Sequence, residues 1–168
     1  AGFDVVIVET VGVGQSEAAV ADIVDTFLLL VAPGGGDELQ GTKRGVLELV
    51  DVVVVNKADG DRKDEARRTR DDYDVGSRLF LRSLAGWSVP VLTASGLEAR
   101  GLDDAWDAVT RHRATLDASG VLAARRAQQA ERALWRAVES EAVRLVRGSP
   151  DVQRALPAAL AAVRSGAL

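Results

Sequence analysis

The chain has no cysteine, no methionine and a single histidine, His112, among its 168 residues. Without cysteine there is no disulfide staple, no thiolate nucleophile and no Cys-ligated metal. One histidine cannot build a multi-histidine metal site. A surplus of positive charge is also lacking. Lys and Arg number 21 against 25 Asp and Glu, for a net charge of −4, so the broad basic footprint of a nucleic-acid binder is absent. Long hydrophobic runs are missing too. The aliphatic runs at residues 5–8, 27–32 and 52–55 fall far short of the roughly 20 residues that span a bilayer. Nor does a basic stretch lead into an apolar one at the start, as in a signal peptide. The expectation is a cytoplasmic protein that uses neither nucleic acid nor membrane as a partner. A strand-like run, Asp4-Val5-Val6-Ile7-Val8, follows Ala1-Gly2-Phe3 with no initiator methionine. Such a start suggests a piece of something longer.

Hydrophobic residues make up 47% and charged residues 27%, ordinary for a globular protein with one real core. Four β-rich runs, 4–8, 27–31, 52–55 and 89–93, alternate with helical stretches at 16–24, 38–50 and 62–84. That alternation predicts a parallel α/β sheet, and the near-continuous aliphatic character of the runs predicts strands covered on both faces. Residues 102–112 read as the next helix, with Leu102, Ala105, Trp106 and Val109 on one face. His112 then reads as a helix C-terminal charge or cap. Beyond Ser119-Gly120 a long helix is expected over 121–147, with an apolar stripe at Leu134, Val138, Ala142 and Leu145. Gly148-Ser149-Pro150 stops it, and a last helix covers 151–163. The expected architecture is α/β and three-layered, with a mainly parallel sheet in residues 1–117 and a helical arm in residues 118–168.

The strongest chemical signal is Asn56-Lys57-Ala58-Asp59, directly after the 52–55 run. Ligands of open α/β sheets bind at the C-terminal ends of strands. A carboxylate at Asp59 can accept both the N1–H and the exocyclic amine of guanine, whereas adenine offers an acceptor at N1 and leaves that carboxylate unpaired. The Asn56 amide can bridge base and loops, and the Lys57 stem can lie along a purine ring. The plainer reading of the quartet is a solvated turn. Ala94-Ser95-Gly96-Leu97 follows the next run, with small residues whose N–H groups can reach the guanine carbonyl. At the other end, Glu9 follows the first run and is placed to hold Mg²⁺ through water. Gly12, three residues on, can offer its N–H to a γ-phosphate. Gly12-x-Gly14 is not a dinucleotide fingerprint, because the third glycine position is Glu17 and the next run carries no ribose-binding acid.

Glu9-x-x-Gly12, then Gly36-Asp37-Glu38-Leu39-Gln40-Gly41-x-Lys43, then Asn56-Lys57-Ala58-Asp59-Gly60, closely resemble the MeaB/ArgK/MMAA family. Its members are P-loop GTPases that act as chaperones for adenosylcobalamin-dependent methylmalonyl-CoA mutase. The likeness extends through residues 87–93, 101–106, His112 and Ser119-Gly120 towards Arg125-Arg126. It implies GTP or GDP with Mg²⁺ as cofactors, the mutase as partner, and a homodimer made through the C-terminal helices. Glu9 resembles the metal-side carboxylate of the family and residues 12–17 its second switch. Asp37 to Lys43 resembles the third switch, which couples nucleotide state to the mutase. Asn56, Lys57, Asp59, Ser95, Gly96 and Leu97 would take the base. Two positions depart mildly: Gly96 usually holds Ala in such proteins, and Ala94 often Cys.

One element of the class is not in the chain. A P-loop NTPase grips its phosphates with Gly-x-x-x-x-Gly-Lys-Ser/Thr, and no such string occurs. In the family it precedes Glu9, so the fragment alone is expected to be inactive and to bind GTP weakly. Two rivals remain open: a nickel- or cobalt-inserting GTPase, which commonly carries a His- or Cys-rich store not found here, and a catalytically silent interaction module.

Overall fold

Four consecutive valines form the centre of the sheet. β-Branched side chains are stiff and suit a pleated surface, and when both faces are covered a strand can be apolar at every position. The computed structural model describes residues 2–10, 17–34, 48–80 and 86–167. Its strands are β1 (Leu28–Val31), β2 (Val52–Val55) and β3 (Val91–Thr93). They pair in parallel in the order β1-β2-β3, with Leu28 opposite Val52 and Thr93 opposite Val55. The described helices are α1 (Glu17–Ala21), α2 (Lys63–Phe80), α3 (Leu102–Ala118), α4 (Val121–Gly148) and α5 (Pro150–Arg164).

Alternation along the strands sends side chains to two faces. On one, Leu29, Val31, Val53 and Val55 pack with Ala66 and Tyr73 of α2. On the other, Val52 and Val54 pack with Ala94 and Ala108, joined by Trp87 and Ala105. Helix, sheet and helix make the three layers, and all four β2 valines are buried. At about 1.5–3 kcal/mol for each fully buried valine, this strand is the main apolar anchor of the unit. The turn from β3 into α3 runs through Gly101, at φ 72°. A Cβ there would lie 2.4 Å from the Thr93 carbonyl oxygen, so glycine alone fits this approach.

Three expectations need correction. Residues 4–8 do not form a strand, and Val5, Val6, Ile7 and Val8 are 42–85% exposed. A strand exists only with a ladder partner, and no described segment pairs with this one. In α3 the buried stripe is Ala108, His112 and Leu116, rotated from the expected face, while Leu102 and Trp106 are nearly half exposed. The helix continues to Ala118, so His112 lies inside it and caps nothing. The helix expected at 38–50 falls mostly outside the described residues, and its last part, residues 48–50, contains a turn.

The chain divides into two compact units, residues 1–126 and 127–168. The second consists of most of α4 and of α5, with Pro150 opening α5 as the sequence suggests. Leu134, Trp135, Val138, Leu145 and Val146 of α4 and Leu156, Leu160 and Val163 of α5 are 45–62% exposed. No helix among the described residues is long and apolar enough to cross a membrane.

The unpaired apolar segment 4–8 and the exposed Leu30 of β1 (61%) have a consequence for the isolated chain. Open apolar edges pair with whatever edge they meet. In sedimentation the 168-residue chain alone therefore forms oligomers at micromolar concentration. A monodisperse monomer with a sharp cooperative melt would contradict this.

Candidate functional site

β2 and β3 end side by side, and two loops leave their C-terminal ends. The backbone joins them first: Ala94 N–H donates to the Val55 carbonyl (2.8 Å) and Ala58 N–H to the Ala94 carbonyl (3.0 Å). Side chains then lock the loops. The Asn56 side-chain oxygen accepts the Gly96 N–H at 3.1 Å and the Lys57 N–H at 2.7 Å. The Ser95 hydroxyl donates to Asp59 Oδ2 at 2.5 Å and accepts the Glu98 N–H at 3.0 Å. Ser95 is fully buried, so its hydroxyl is a fixed support for the Asp59 carboxylate.

Lys57 has φ 59°, a left-handed conformation that costs energy for a residue with a Cβ. It persists because the bonds on either side of it, at Asn56 and Ala58, fix the chain. Asn56, Lys57, Asp59, Arg62, Gly96 and Leu97 line an open groove of about 460 Å³, within the range of small-molecule sites. The groove has an apolar wall in Leu97, which is 87% exposed, a cation at Lys57 and a carboxylate whose Oδ1 remains available. That set suits a flat heterocycle carrying two adjacent N–H donors. A Cβ at Gly96 would come no nearer than 3.9 Å to Asn56 Oδ1, so alanine also fits there.

The structure brings together Asn56, Lys57, Asp59, Ser95, Gly96 and Leu97. Glu9 is not among the residues lining the groove; it is exposed, in the segment 2–10. Gly12, Asp37 and Lys43 lie outside the described residues. No group of three or more acids and histidines that could hold a metal occurs among the described residues. Arg62 and Arg100 are the residues that sequence reasoning missed. Arg62 lines the groove, and the Arg100 guanidinium donates to the Ala58 carbonyl from outside it. Neither belongs to a motif; only the loop's three-dimensional return reveals them.

A second polar cluster sits where β1 and β2 begin. Asp51 accepts the Phe27 N–H at 2.8 Å, lies 3.4 Å from Arg125 Nη1 and faces His112 Nε2 at 3.3 Å. His112 Nδ1 is 2.9 Å from the Thr26 hydroxyl, and the Trp87 indole N–H donates to the Asp51 carbonyl at 2.9 Å. Its ring lies 5.0 Å from the imidazole. Burial pushes the His112 imidazole below the usual histidine range, Asp51 pulls against that, and the Arg125 cation adds to the push. Alongside, Arg126 holds Asp25 through two hydrogen bonds, which keeps that carboxyl below the usual range. This cluster ties β1, β2, α3 and the first turns of α4 together and lies at the end of the sheet away from the groove.

Parallel strands with helices on both faces and loops at the strands' C-terminal ends define an open α/β protein, and the match to a solved P-loop-type protein narrows it to the P-loop NTPase fold. A solved LAO/AO transport system kinase has this architecture with a TM-score of 0.77 and 39% identity, over 99% of this chain and 53% of that one. The family described as "Methylmalonyl Co-A mutase-associated GTPase MeaB" matches residues 1–151, and the chain belongs to it. A Mycobacterium tuberculosis protein described as "Probable GTPase Rv1496" is 48% identical over 168 residues, covering 100% of this chain and 50% of its own. The mouse "Methylmalonic aciduria type A homolog, mitochondrial" is 40% identical over 167 residues, covering 99% of this chain and 40% of its own. The chain thus spans about half the length, or less, of these curated relatives.

Proposed function

We propose that the protein containing this chain binds and hydrolyses GTP, and that its nucleotide state gates adenosylcobalamin loading into methylmalonyl-CoA mutase and protects that enzyme. The observation that carries the reading is the pair of locked loops. Ser95 holds the Asp59 carboxylate at 2.5 Å and Asn56 holds the Gly96 N–H at 3.1 Å, at the end of the sheet where such folds bind ligands. In this reading Asp59 accepts the guanine N1–H and exocyclic amine, Lys57 covers one face of the ring and Leu97 the other. The Gly96 N–H stays with Asn56, bringing the small Gly96-Leu97 backbone close to the base, and the Leu97 N–H approaches the guanine carbonyl. The groove is large enough for a purine and is edged by the acceptor that guanine needs.

At the phosphate end, Glu9 is the proposed metal-side carboxylate. A single carboxylate suits Mg²⁺, which keeps several waters and takes further oxygens from nucleotide phosphates. When bound, the ion supplies neutralisation of charge on those phosphates. Gly12 is proposed to sense the γ-phosphate, and Asp37 and Lys43 to couple hydrolysis to the mutase. Residues 118–168 are proposed as the homodimerisation arm, a reading supported by the exposed apolar residues on α4 and α5. The working compartment is proposed to be the cytoplasm.

Calorimetric titration of the whole protein tests the base assignment. GDP binds, and ADP binds weaker by on the order of a thousandfold, because adenine leaves the Asp59 carboxylate without donors. Equal affinities for the two diphosphates would overturn the reading.

A further inference from the structure

We infer that Arg100 is a positioning residue for base selection, acting through the Ala58 peptide and without touching the ligand; the inference rests on the base site proposed above. Arg100 is absent from the groove lining, yet it reaches both loops. Its Nη2 donates to the Ala58 carbonyl, and its Nη1 pairs with Glu98 Oε2 at 2.8 Å. Glu98 in turn lies 3.9 Å from the Lys63 ammonium at the start of α2. The backbone of Arg100 closes its own loop, with Ser95 N–H to the Arg100 carbonyl at 2.9 Å and Arg100 N–H to the Ser95 carbonyl at 3.1 Å. Arg100 therefore spans from the residue that supports the Asp59 carboxylate to the peptide that carries Asp59.

Ala58 stands between two sensitive positions. Lys57 before it is held at positive φ, and Asp59 after it carries the carboxylate. The Ala58 N–H is fixed by Ala94 and its carbonyl by Arg100, so both peptide planes flanking Ala58 are set by the neighbouring loop. With the guanidinium removed, the Ala58 carbonyl loses its charged donor and the Ala58–Asp59 peptide is held less firmly, with Ser95 left as the side-chain support of the carboxylate. Rotation at this point swings the carboxylate relative to the groove. A guanidinium meets a carbonyl and a carboxylate at once through its planar fork, whereas a lysine ammonium is a single point charge. Lysine should therefore restore only part of the effect.

The test measures GDP and IDP affinity calorimetrically for the whole protein and its Arg100→Ala, Arg100→Lys and Asp59→Asn variants. Inosine lacks the exocyclic amine, so the GDP-to-IDP ratio reports how squarely the carboxylate meets both donors. Arg100→Ala is expected to lower GDP affinity about tenfold and to bring the ratio towards one, with Arg100→Lys between it and the wild type. A merely structural role would weaken both nucleotides equally and leave the ratio unchanged, and that result would overturn the inference. If Arg100→Ala does not fold, the Arg100→Lys ratio decides: a reduced ratio supports the inference and a wild-type ratio overturns it. Asp59→Asn separates the two levels. If it leaves the ratio untouched, the base site itself is wrong. If it abolishes the ratio while the Arg100 variants keep it, only the role of Arg100 fails.

Discussion

On the base site proposed above, replacing Asp59 by asparagine is expected to shift the whole protein from binding guanosine nucleotides towards binding xanthosine nucleotides. In the proposed site the carboxylate accepts two N–H groups from guanine. An asparagine amide presents one acceptor and one donor, so its nitrogen faces the guanine amine and two donors collide. GDP affinity falls by about ten- to a hundredfold, the worth of one or more charge-assisted hydrogen bonds. Xanthine carries a carbonyl where guanine carries the amine, and it offers an acceptor to the new amide nitrogen and an N–H to its oxygen. The variant therefore binds XDP more tightly than the wild type does. Ser95 can still donate to the amide oxygen in place of Asp59 Oδ2, so the loops stay together and the thermal melt is little changed. Calorimetry with GDP and XDP checks the result, and a variant that loses both nucleotides equally would speak against base recognition by this side chain.

The second large effect lies at the opposite end of the sheet and concerns stability alone. Asp51 is 5% exposed and serves Phe27, His112 and Arg125 together. Asp51→Ala strands a backbone N–H and leaves the Arg125 guanidinium without its carboxylate. The expected loss is about 3–5 kcal/mol, a large share of a normal domain's total stability. Denaturant midpoints on the whole protein measure it. The same cluster sets a pH dependence. The His112 pKa in the folded state lies below the ordinary 6.5, so the unfolded chain binds a proton more readily there. Stability is fully present above about pH 6.5 and falls as pH drops from that value through the lower, folded pKa. Substituting His112 by glutamine removes this slope between pH 6.5 and the folded pKa. A slope unchanged in the variant would place its origin in another group.

Much of the architecture was legible because it follows from local chemistry. Four valines in a row favour a doubly covered strand, and Gly148-Ser149-Pro150 favours a break between helices. The placement of the Asn56–Asp59 quartet at the end of a buried strand was legible as well, because the four valines before it mark that strand. Three features were not. The 4–8 run has the composition of a strand, but pairing is not a property of one segment, and composition cannot supply a neighbour. The face of α3 was misjudged because Leu102 and Trp106 outrank Ala108 and His112 in hydrophobicity. In the fold, the small Ala108 gives close approach to the sheet, and His112 is buried because Thr26 and Asp51 satisfy both of its nitrogens. Arg100 could not be found from sequence at all, because its partner, the Ala58 carbonyl, is a backbone group 42 residues away.

The most direct measurement is a crystal structure of the whole protein with GDP bound. It is expected to place both Asp59 carboxylate oxygens about 2.7–3.0 Å from guanine N1 and N2, with Ser95 still donating to Oδ2. A base seated elsewhere, or an Asp59 carboxylate turned away from it, would contradict the account.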